Sequence, residues 1–112
     1  MVEFKLTKEQ LLAKELFKSF AENEIKPISR DMDEAEKFDM DLLAKMKKYG
    51  LMGIPYSKEY GGEGADVLTY ALAMEEVSKV DASAGITISV HTSLCCSCIN
   101  DYASEEQKQE FL

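Results

Sequence analysis

The chain has 112 residues, a length that supports one domain with a single hydrophobic core. Hydrophobic residues make up 46% of the chain, which favours a folded state over disorder. The net charge of −8 argues against binding to nucleic acid or to acidic membranes, because both need clustered basic side chains. The first ten residues lack the apolar core of an export signal, so we expect a cytoplasmic protein with three free cysteines.

Apolar residues follow helical spacing along the chain, and no stretch alternates in the manner of a strand. Thr7 and Gln10 form a capping-box pattern, after which apolar residues recur at every fourth position up to about Lys26. Pro27 is expected to end or kink this first helix, because a proline lacks the N–H that the helix interior needs.

The middle of the chain is predicted as a helix, an extended connector and a tight loop. Asp39 caps a helix that stops at Gly50, and residues 51–60 form the connector. The glycines at positions 61, 62 and 64 supply the positive φ angles of a tight turn. A phosphate-binding loop is disfavoured, since Val67 replaces the third glycine of the dinucleotide pattern and the acids Glu63 and Asp66 would repel an anion.

A third helix, 67–80, begins after its cap Asp66, and its apolar residues cover most of its circumference, so we expect it to be largely buried. Its adjacent acids, Glu75 and Glu76, are interpreted as a solvated edge of the helix, and the alternative is that at least one points toward a basic partner or an interface. The 19 residues from Ala82 to Asn100 contain no charged residue, although 30% of the chain is charged. Their hydroxyl groups argue against membrane insertion and favour a buried helix that a ligand or another backbone approaches closely.

The last predicted element is a helix that begins after Ser104, which repeats the capping-box pattern with Gln107. The sequence ends at Leu112, where the apolar face of this helix begins, so we expect a piece cut from a longer protein. Together the elements predict an all-α fold, an up-and-down or orthogonal bundle of about five to six helices.

His91, Cys95 and Cys98 lie at intervals of four and three, which places them on one stripe of a regular helix. Structural zinc usually takes four ligands from separated segments, and no second pair of ligands occurs here. Packed small thiols are therefore the better interpretation, and no metal is predicted. No Ser, His and Asp set has the spacing of a hydrolase, and a lone histidine on a buried helix is more often hydrogen-bonded than catalytic.

Several segments, in order along the chain, resemble the N-terminal domain of the acyl-CoA dehydrogenases. They are AENEIKPI at 21–28, GLMGIP at 50–55, EYGGEG at 59–64, EE at 75–76, HTSL at 91–94, and EQK with FL at 106–112. The sequences of these segments most resemble those of the bacterial short-chain (butyryl-CoA) members. The resemblance implies that residues 1–112 form an N-terminal α-helical domain, which a β-sheet domain and a second helical domain follow in the full-length protein.

The resemblance implies an FAD-dependent oxidoreductase of fatty acid metabolism. In this family a carboxylate removes the α proton of a fatty acyl-CoA thioester while the β hydride passes to N5 of FAD. The catalytic glutamate and most FAD contacts lie in the later domains, so the resemblance implies no catalytic residue in this chain. We expect the chain alone to be inactive and to bind no FAD.

The same resemblance assigns the uncharged helix to one wall of the acyl pocket, lined by Thr87, Val90, His91 and Leu94. An uncharged wall suits a dry pocket, because no ion has to be buried. A preference for short acyl chains would require bulk at the far end, which Ile86, Ile88 and the cysteines at 95–98 could supply.

The resemblance also implies a partner, electron-transfer flavoprotein, which would dock near the glycine loop with Ala65 and Ala73 in the groove. It implies a homotetramer for the full-length protein. The isolated chain is expected to self-associate, since surfaces that meet other domains would be open to solvent. The alternative interpretation is a freestanding helical protein-interaction module with an acidic surface.

Overall fold

The computed structural model describes residues 3–112, and within this range it contains helices and loops but no strand. The α-helices are α1 (Lys8–Phe20), α2 (Lys26–Ala35), α3 (Met40–Lys48), α4 (Val67–Val80), α5 (Ala82–Ser89), α6 (Ser97–Tyr102) and α7 (Glu105–Phe111). Two π-helical segments, Ala21–Ile25 and Val90–Cys96, join α1 to α2 and α5 to α6, and a 3-10 turn spans Lys58–Tyr60. The prediction of an all-α fold is confirmed.

Side-chain caps begin five of the seven α-helices within residues 3–112, all except α2 and α6. Thr7 and Ser104 form reciprocal capping boxes with Gln10 and Gln107 at the starts of α1 and α7. A carboxylate accepts a first-turn backbone N–H in α3, α4 and α5, from Asp39, Asp66 and Asp81 respectively. Each cap satisfies a donor that has no partner within its own helix, which fixes where the helix starts.

The predicted interruption of the first helix at Pro27 takes the form of a π-helical segment, Ala21–Ile25, directly before α2. Pro27 lies in the first turn of α2, and the chain stays helical to Ala35. Just before it, the N–H of Lys26 donates to the carbonyl of Ala21, five residues earlier. In a regular α-helix the proline ring would clash with the carbonyl four residues back. The wider π turn lets the helix continue past this position.

The core lies where α4 packs between α1 and α5. Only one side of α4 is buried, formed by Thr69, Leu72, Ala73, Glu76 and Val77. Val67 and Leu68 on the other side are 73% and 46% exposed. The expectation that α4 is largely buried is therefore wrong for its outer side, which is apolar in the first turn and carries Glu75 and Lys79 further along.

The uncharged stretch forms one continuous helix, Ala82–Tyr102, which is long and apolar enough to cross a membrane by length and composition alone. Core helices of water-soluble proteins pass the same test. The side that faces the core is buried and comprises Ala84, Gly85, Ile88, Thr92 and Cys96. The expectation of a buried helix holds for this side, whereas the opposite side of the helix is open to solvent.

Candidate functional site

The outward side of the uncharged helix carries three large apolar side chains, one turn apart. Ile86, Val90 and Leu94 are 62%, 47% and 67% exposed, and we call this set the exposed stripe. No charged residue occurs between Ala82 and Asn100, so the stretch of helix that carries the stripe has no formal charge of its own. A contiguous apolar surface of this kind marks a site for a ligand, a partner or another domain.

Of the four predicted wall residues, which all remain predictions, Val90 and Leu94 lie on this stripe and the other two do not. Thr87 is partly buried, and its Oγ1 donates to the carbonyl of Ser83 at 2.8 Å, a bond within its own helix. His91 is also partly buried and lines a groove of about 390 Å³ beside Tyr56 and the glycine loop. Thr87 and His91 therefore remain predictions as wall residues.

The π-helical segment Val90–Cys96 changes the register that the sequence reasoning assumed. Regular helical spacing predicts His91 next to Cys95, four residues later. In the structure, His91 Nε2 lies 3.3 Å from Sγ of Cys96, five residues later. Cys95 and Cys98 are exposed, whereas Cys96 is buried. Within residues 3–112 no three side chains of His, Cys, Asp or Glu are grouped to hold a metal ion.

Burial raises the pKa of the Cys96 thiol, and the neighbouring Cys95 adds to the effect. Desolvation disfavours the charged thiolate, so Cys96 remains a neutral thiol at physiological pH. Its role in the described structure is packing and a contact with His91, because the thiolate is the nucleophilic form of cysteine.

Tyr56, in the connector after α3, supports the π-helical segment from outside. Its phenol donates a hydrogen bond to the backbone carbonyl of Thr92. Burial, with smaller contributions from Cys96 and other neighbours, raises the pKa of Tyr56 to about 12, so the phenol stays a donor. Thr92 itself is 1% exposed, and its Oγ1 has no partner among the residues that the structure describes. Sequence reasoning missed Tyr56, because nothing in its spacing connects it to a helix 36 residues later.

The glycine loop folds onto itself and forms the predicted tight turn. Gly61 and Gly64 have φ angles of 90° and 65°. A Cβ atom on Gly62 would overlap the backbone of Tyr56 and lie 2.9 Å from the carbonyl oxygen of Gly53. Glycine is therefore required at position 62 because two backbones approach closely, which the sequence alone did not indicate.

The glycine loop does not fit the phosphates of a nucleotide cofactor. The backbone N–H groups of residues 62, 63, 64 and 65 donate to carbonyls of the connector at 2.8–3.0 Å, so they are already used. The carboxylate of Asp66 occupies the start of α4, where an anion would otherwise bind. We therefore assign no residue of this loop to FAD.

The two alanines predicted to contact a partner are turned inward. Ala73 has no exposed surface and belongs to the hydrophobic core, and Ala65 is partly buried against that core. A partner cannot touch Ala73 directly, so its predicted place in an open groove is corrected. α4 turns this side toward α1 and α5, and the large apolar side chains that it leaves open are Val67 and Leu68 in its first turn.

Glu75 and Glu76 both contact basic side chains, and Glu76 is buried rather than at a solvated edge. Glu76 is only 4% exposed, and its Oε1 lies 3.1 Å from Nζ of Lys79 and 3.9 Å from Nζ of Lys14. The hydrogen bond between Lys79 and Glu76 is the largest cause that raises the pKa of Lys79. The pair with Lys14 joins α4 to α1, whereas the pair with Lys79 lies within α4. Glu75 is half exposed, and its Oε1 also lies 3.4 Å from Nζ of Lys79.

Comparison with known proteins identifies the family. Residues 7–112 match the family model for the acyl-CoA dehydrogenase N-terminal domain. The short-chain specific acyl-CoA dehydrogenase of Clostridium acetobutylicum is 54% identical over 111 residues, covering 99% of this chain and 29% of that protein. The chain belongs to the acyl-CoA dehydrogenase family and corresponds to its N-terminal domain.

Solved structures agree with this assignment. Butyryl-CoA dehydrogenase from Megasphaera elsdenii superimposes with a TM-score of 0.92 at 35% identity, over 99% of this chain and 30% of that chain. A chain in a structure described as the electron transferring flavoprotein of Acidaminococcus fermentans gives a TM-score of 0.96 at 44% identity, over 99% and 29%. This chain thus spans less than a third of the length of these relatives.

Proposed function

We propose that this chain is the N-terminal part of an FAD-dependent short-chain acyl-CoA dehydrogenase, an oxidoreductase of fatty acid metabolism, and that its exposed stripe forms one wall of the acyl pocket. The observation that carries the proposal is the uncharged apolar surface of Ile86, Val90 and Leu94, in a domain of this family whose net charge is −8. The short-chain and butyryl-CoA names of two relatives support the substrate class.

In the reaction, this chain binds the acyl group and excludes water, and it transfers no proton. The reaction removes a proton from the α carbon and a hydride from the β carbon of the acyl-CoA, and FAD accepts the hydride when bound. The base and the FAD site belong to the parts of the full-length protein outside this chain. The exposed stripe would cover the acyl chain and keep water away from the reacting carbons without burying a charge.

The preference for short acyl chains would come from side chains on the stripe and beside it. Ile88 cannot fill the far end of the pocket as the sequence suggested, because it is fully buried in the core. Cys96 is also buried on the core side. Ile86, Cys95 and Cys98 are exposed and remain candidates for that role.

The proposed partners follow the family. Electron-transfer flavoprotein would dock next to the glycine loop, where Val67 and Leu68 are exposed at the start of α4. We propose a homotetramer for the full-length protein, since the open apolar side chains of this domain need covering surfaces. A cytoplasmic location is consistent with three cysteines that are all free.

A chimera tests the proposed function. This chain replaces the 111 residues that it aligns with in the Clostridium acetobutylicum enzyme, and the unmodified enzyme serves as the control. We expect the chimera to bind FAD and to oxidise butyryl-CoA with an artificial electron acceptor, whereas the 112-residue chain alone does neither. A soluble, helical chimera that binds no FAD, or that binds FAD and leaves butyryl-CoA unchanged, would contradict the proposal.

A further inference from the structure

We infer that Tyr56 is a positioning residue that sets the register of the π-helical segment Val90–Cys96 and thereby selects which side chains form the exposed stripe. The effect of Tyr56 on the helix register is independent of the proposed function, whereas its effect on the choice of acyl group rests on that function.

The register matters because the buried and exposed sides of this helix both repeat at every fourth residue. Ala84, Ile88, Thr92 and Cys96 are buried, and Ile86, Val90 and Leu94 are exposed. In a regular α-helix each step of four residues advances by about 40°, so a row of four residues would wind about 120° around the axis. Within Val90–Cys96 the wider π turn changes this winding, so the steps from Val90 to Leu94 and from Thr92 to Cys96 depend on the register.

A π-helical turn is rare, so an interaction outside the ladder of helical hydrogen bonds has to favour it. The phenol of Tyr56 supplies such an interaction, since it donates to the carbonyl of Thr92 near the middle of the segment. Reversion to a regular helix would shift this carbonyl and would separate His91 from Cys96, which meet only at a spacing of five.

At Thr92, a hydrogen bond that is available only in a regular α-helix competes with the π-helical register. Its Oγ1 is buried and has no partner among the residues that the structure describes. A threonine hydroxyl in a regular helix readily donates to a carbonyl three or four residues earlier. Reversion would offer Thr92 this bond, so the π register persists only while the contact from Tyr56 outweighs it.

The connector also provides a matched control, Tyr60. Its phenol donates to both carboxylate oxygens of Glu105, at 2.7 and 2.8 Å, and this bond is the main cause that raises the pKa of Tyr60 to about 12. Tyr60→Phe therefore removes a comparable phenol from the same connector without touching the π-helical segment.

Thiol labelling of the 112-residue chain reads the register directly. With a water-soluble aromatic disulfide, the exposed Cys95 and Cys98 should react quickly and the buried Cys96 slowly. We expect Tyr56→Phe to raise the labelling rate of Cys96 about tenfold, the scale of one lost hydrogen bond, and Tyr60→Phe to leave that rate unchanged. Thr92→Val in the Tyr56→Phe background should restore slow labelling, because it removes the competing hydroxyl.

Circular dichroism separates this outcome from unfolding, because reversion to a regular helix preserves helix content. A Tyr56→Phe chain with native helicity and the native labelling pattern would overturn the inference. So would faster labelling that Thr92→Val does not reverse, since a general loosening of the fold would not depend on that hydroxyl.

The functional half is tested in the chimera. We expect Tyr56→Phe to change the ratio of kcat/KM for octanoyl-CoA and butyryl-CoA several-fold, with Tyr60→Phe as the control. An unchanged ratio in a variant that shows the altered labelling would overturn the effect on the acyl group while leaving the register intact. Absence of butyryl-CoA oxidation in the unmodified chimera would instead contradict the proposed function, so the two failures are distinguishable.

Discussion

Gly62 shows how a single residue can be fixed by backbone contact rather than by its own conformation. Its neighbours Gly61 and Gly64 adopt positive φ angles, whereas Gly62 does not. What excludes a side chain at position 62 is the backbone of Tyr56 and Gly53. The same close approach holds the connector that carries the phenol of Tyr56 toward the π-helical segment.

Gly62→Ala is therefore expected to destabilise the domain more than Gly61→Ala. A Cβ at position 62 meets backbone atoms that cannot move aside, which we expect to cost about 3 kcal/mol. At position 61 no atom lies within 4 Å of the added Cβ, and only the positive φ is unfavourable, about 1 kcal/mol. Urea unfolding of the two variants measures both costs, and equal costs would contradict the close approach.

Helix starts could be predicted from sequence, whereas the two π-helical segments could not. Capping depends on one side chain and an N–H two or three residues away, as at Asp39 and Asp66, so a short stretch of sequence contains the whole interaction. The π-helical segment at Val90–Cys96 is supported by a phenol from Tyr56, a contact between residues far apart in the chain. For the same reason, sequence reasoning placed His91 next to the wrong cysteine.

For the predicted site too, the sequence did not reveal which side of a helix faces outward. The absence of charge between Ala82 and Asn100 was visible in the sequence and correctly marked an unusual helix. Which side of that helix faces outward depends on the register and on the packing against α4. Val90 and Leu94 lie together on the exposed side of the helix, whereas Ile88 and Ala73 lie in the core, which the sequence did not indicate.

The cap of α4 should make stability depend on pH. Asp66 accepts hydrogen bonds from the Thr69 hydroxyl and backbone N–H and from Gln10, which lower the pKa of its carboxyl. Because that pKa is lower in the folded state, the stabilisation is present above the unfolded pKa of about 3.9 and is lost as the pH falls through the folded value.

We expect Asp66→Ala to lower the melting temperature by a few degrees at neutral pH and the difference from the unmodified chain to shrink as the pH falls below about 4. Asp31→Ala, at an exposed position in α2, is the control. Thermal unfolding followed by circular dichroism over a range of pH measures the difference. A constant difference down to the most acidic pH at which the chain folds would be inconsistent with this cap.

At the scale of the whole molecule, large apolar side chains are exposed on several sides. They include Leu12 and Leu16 on α1, Val67 on α4 and the exposed stripe. The relatives are more than three times as long as this chain, so their further domains provide surfaces that such side chains can meet. The open apolar residues agree with the match of this chain to one domain of this family.

The 112-residue chain is expected to self-associate, because association removes these apolar surfaces from water. Sedimentation velocity over a range of concentrations should show a dimer or larger species. Ile86→Ser together with Leu94→Ser should weaken the association by removing two members of the exposed stripe. A chain that remains monomeric at high concentration would contradict this expectation.

The acyl-chain preference of the chimera after Val90→Gly is the most direct measure of whether the exposed stripe lines the acyl pocket. Val90 lies at the centre of the exposed stripe, so loss of its side chain should make room for a longer acyl chain. We expect the kcat/KM ratio of octanoyl-CoA to butyryl-CoA to rise about tenfold, the scale of a few methylene contacts in an apolar pocket. Val67→Gly, the same change on the outer side of α4, should leave the ratio unaltered. A Val90→Gly ratio equal to that of the unmodified chimera would show that the stripe does not line the acyl pocket.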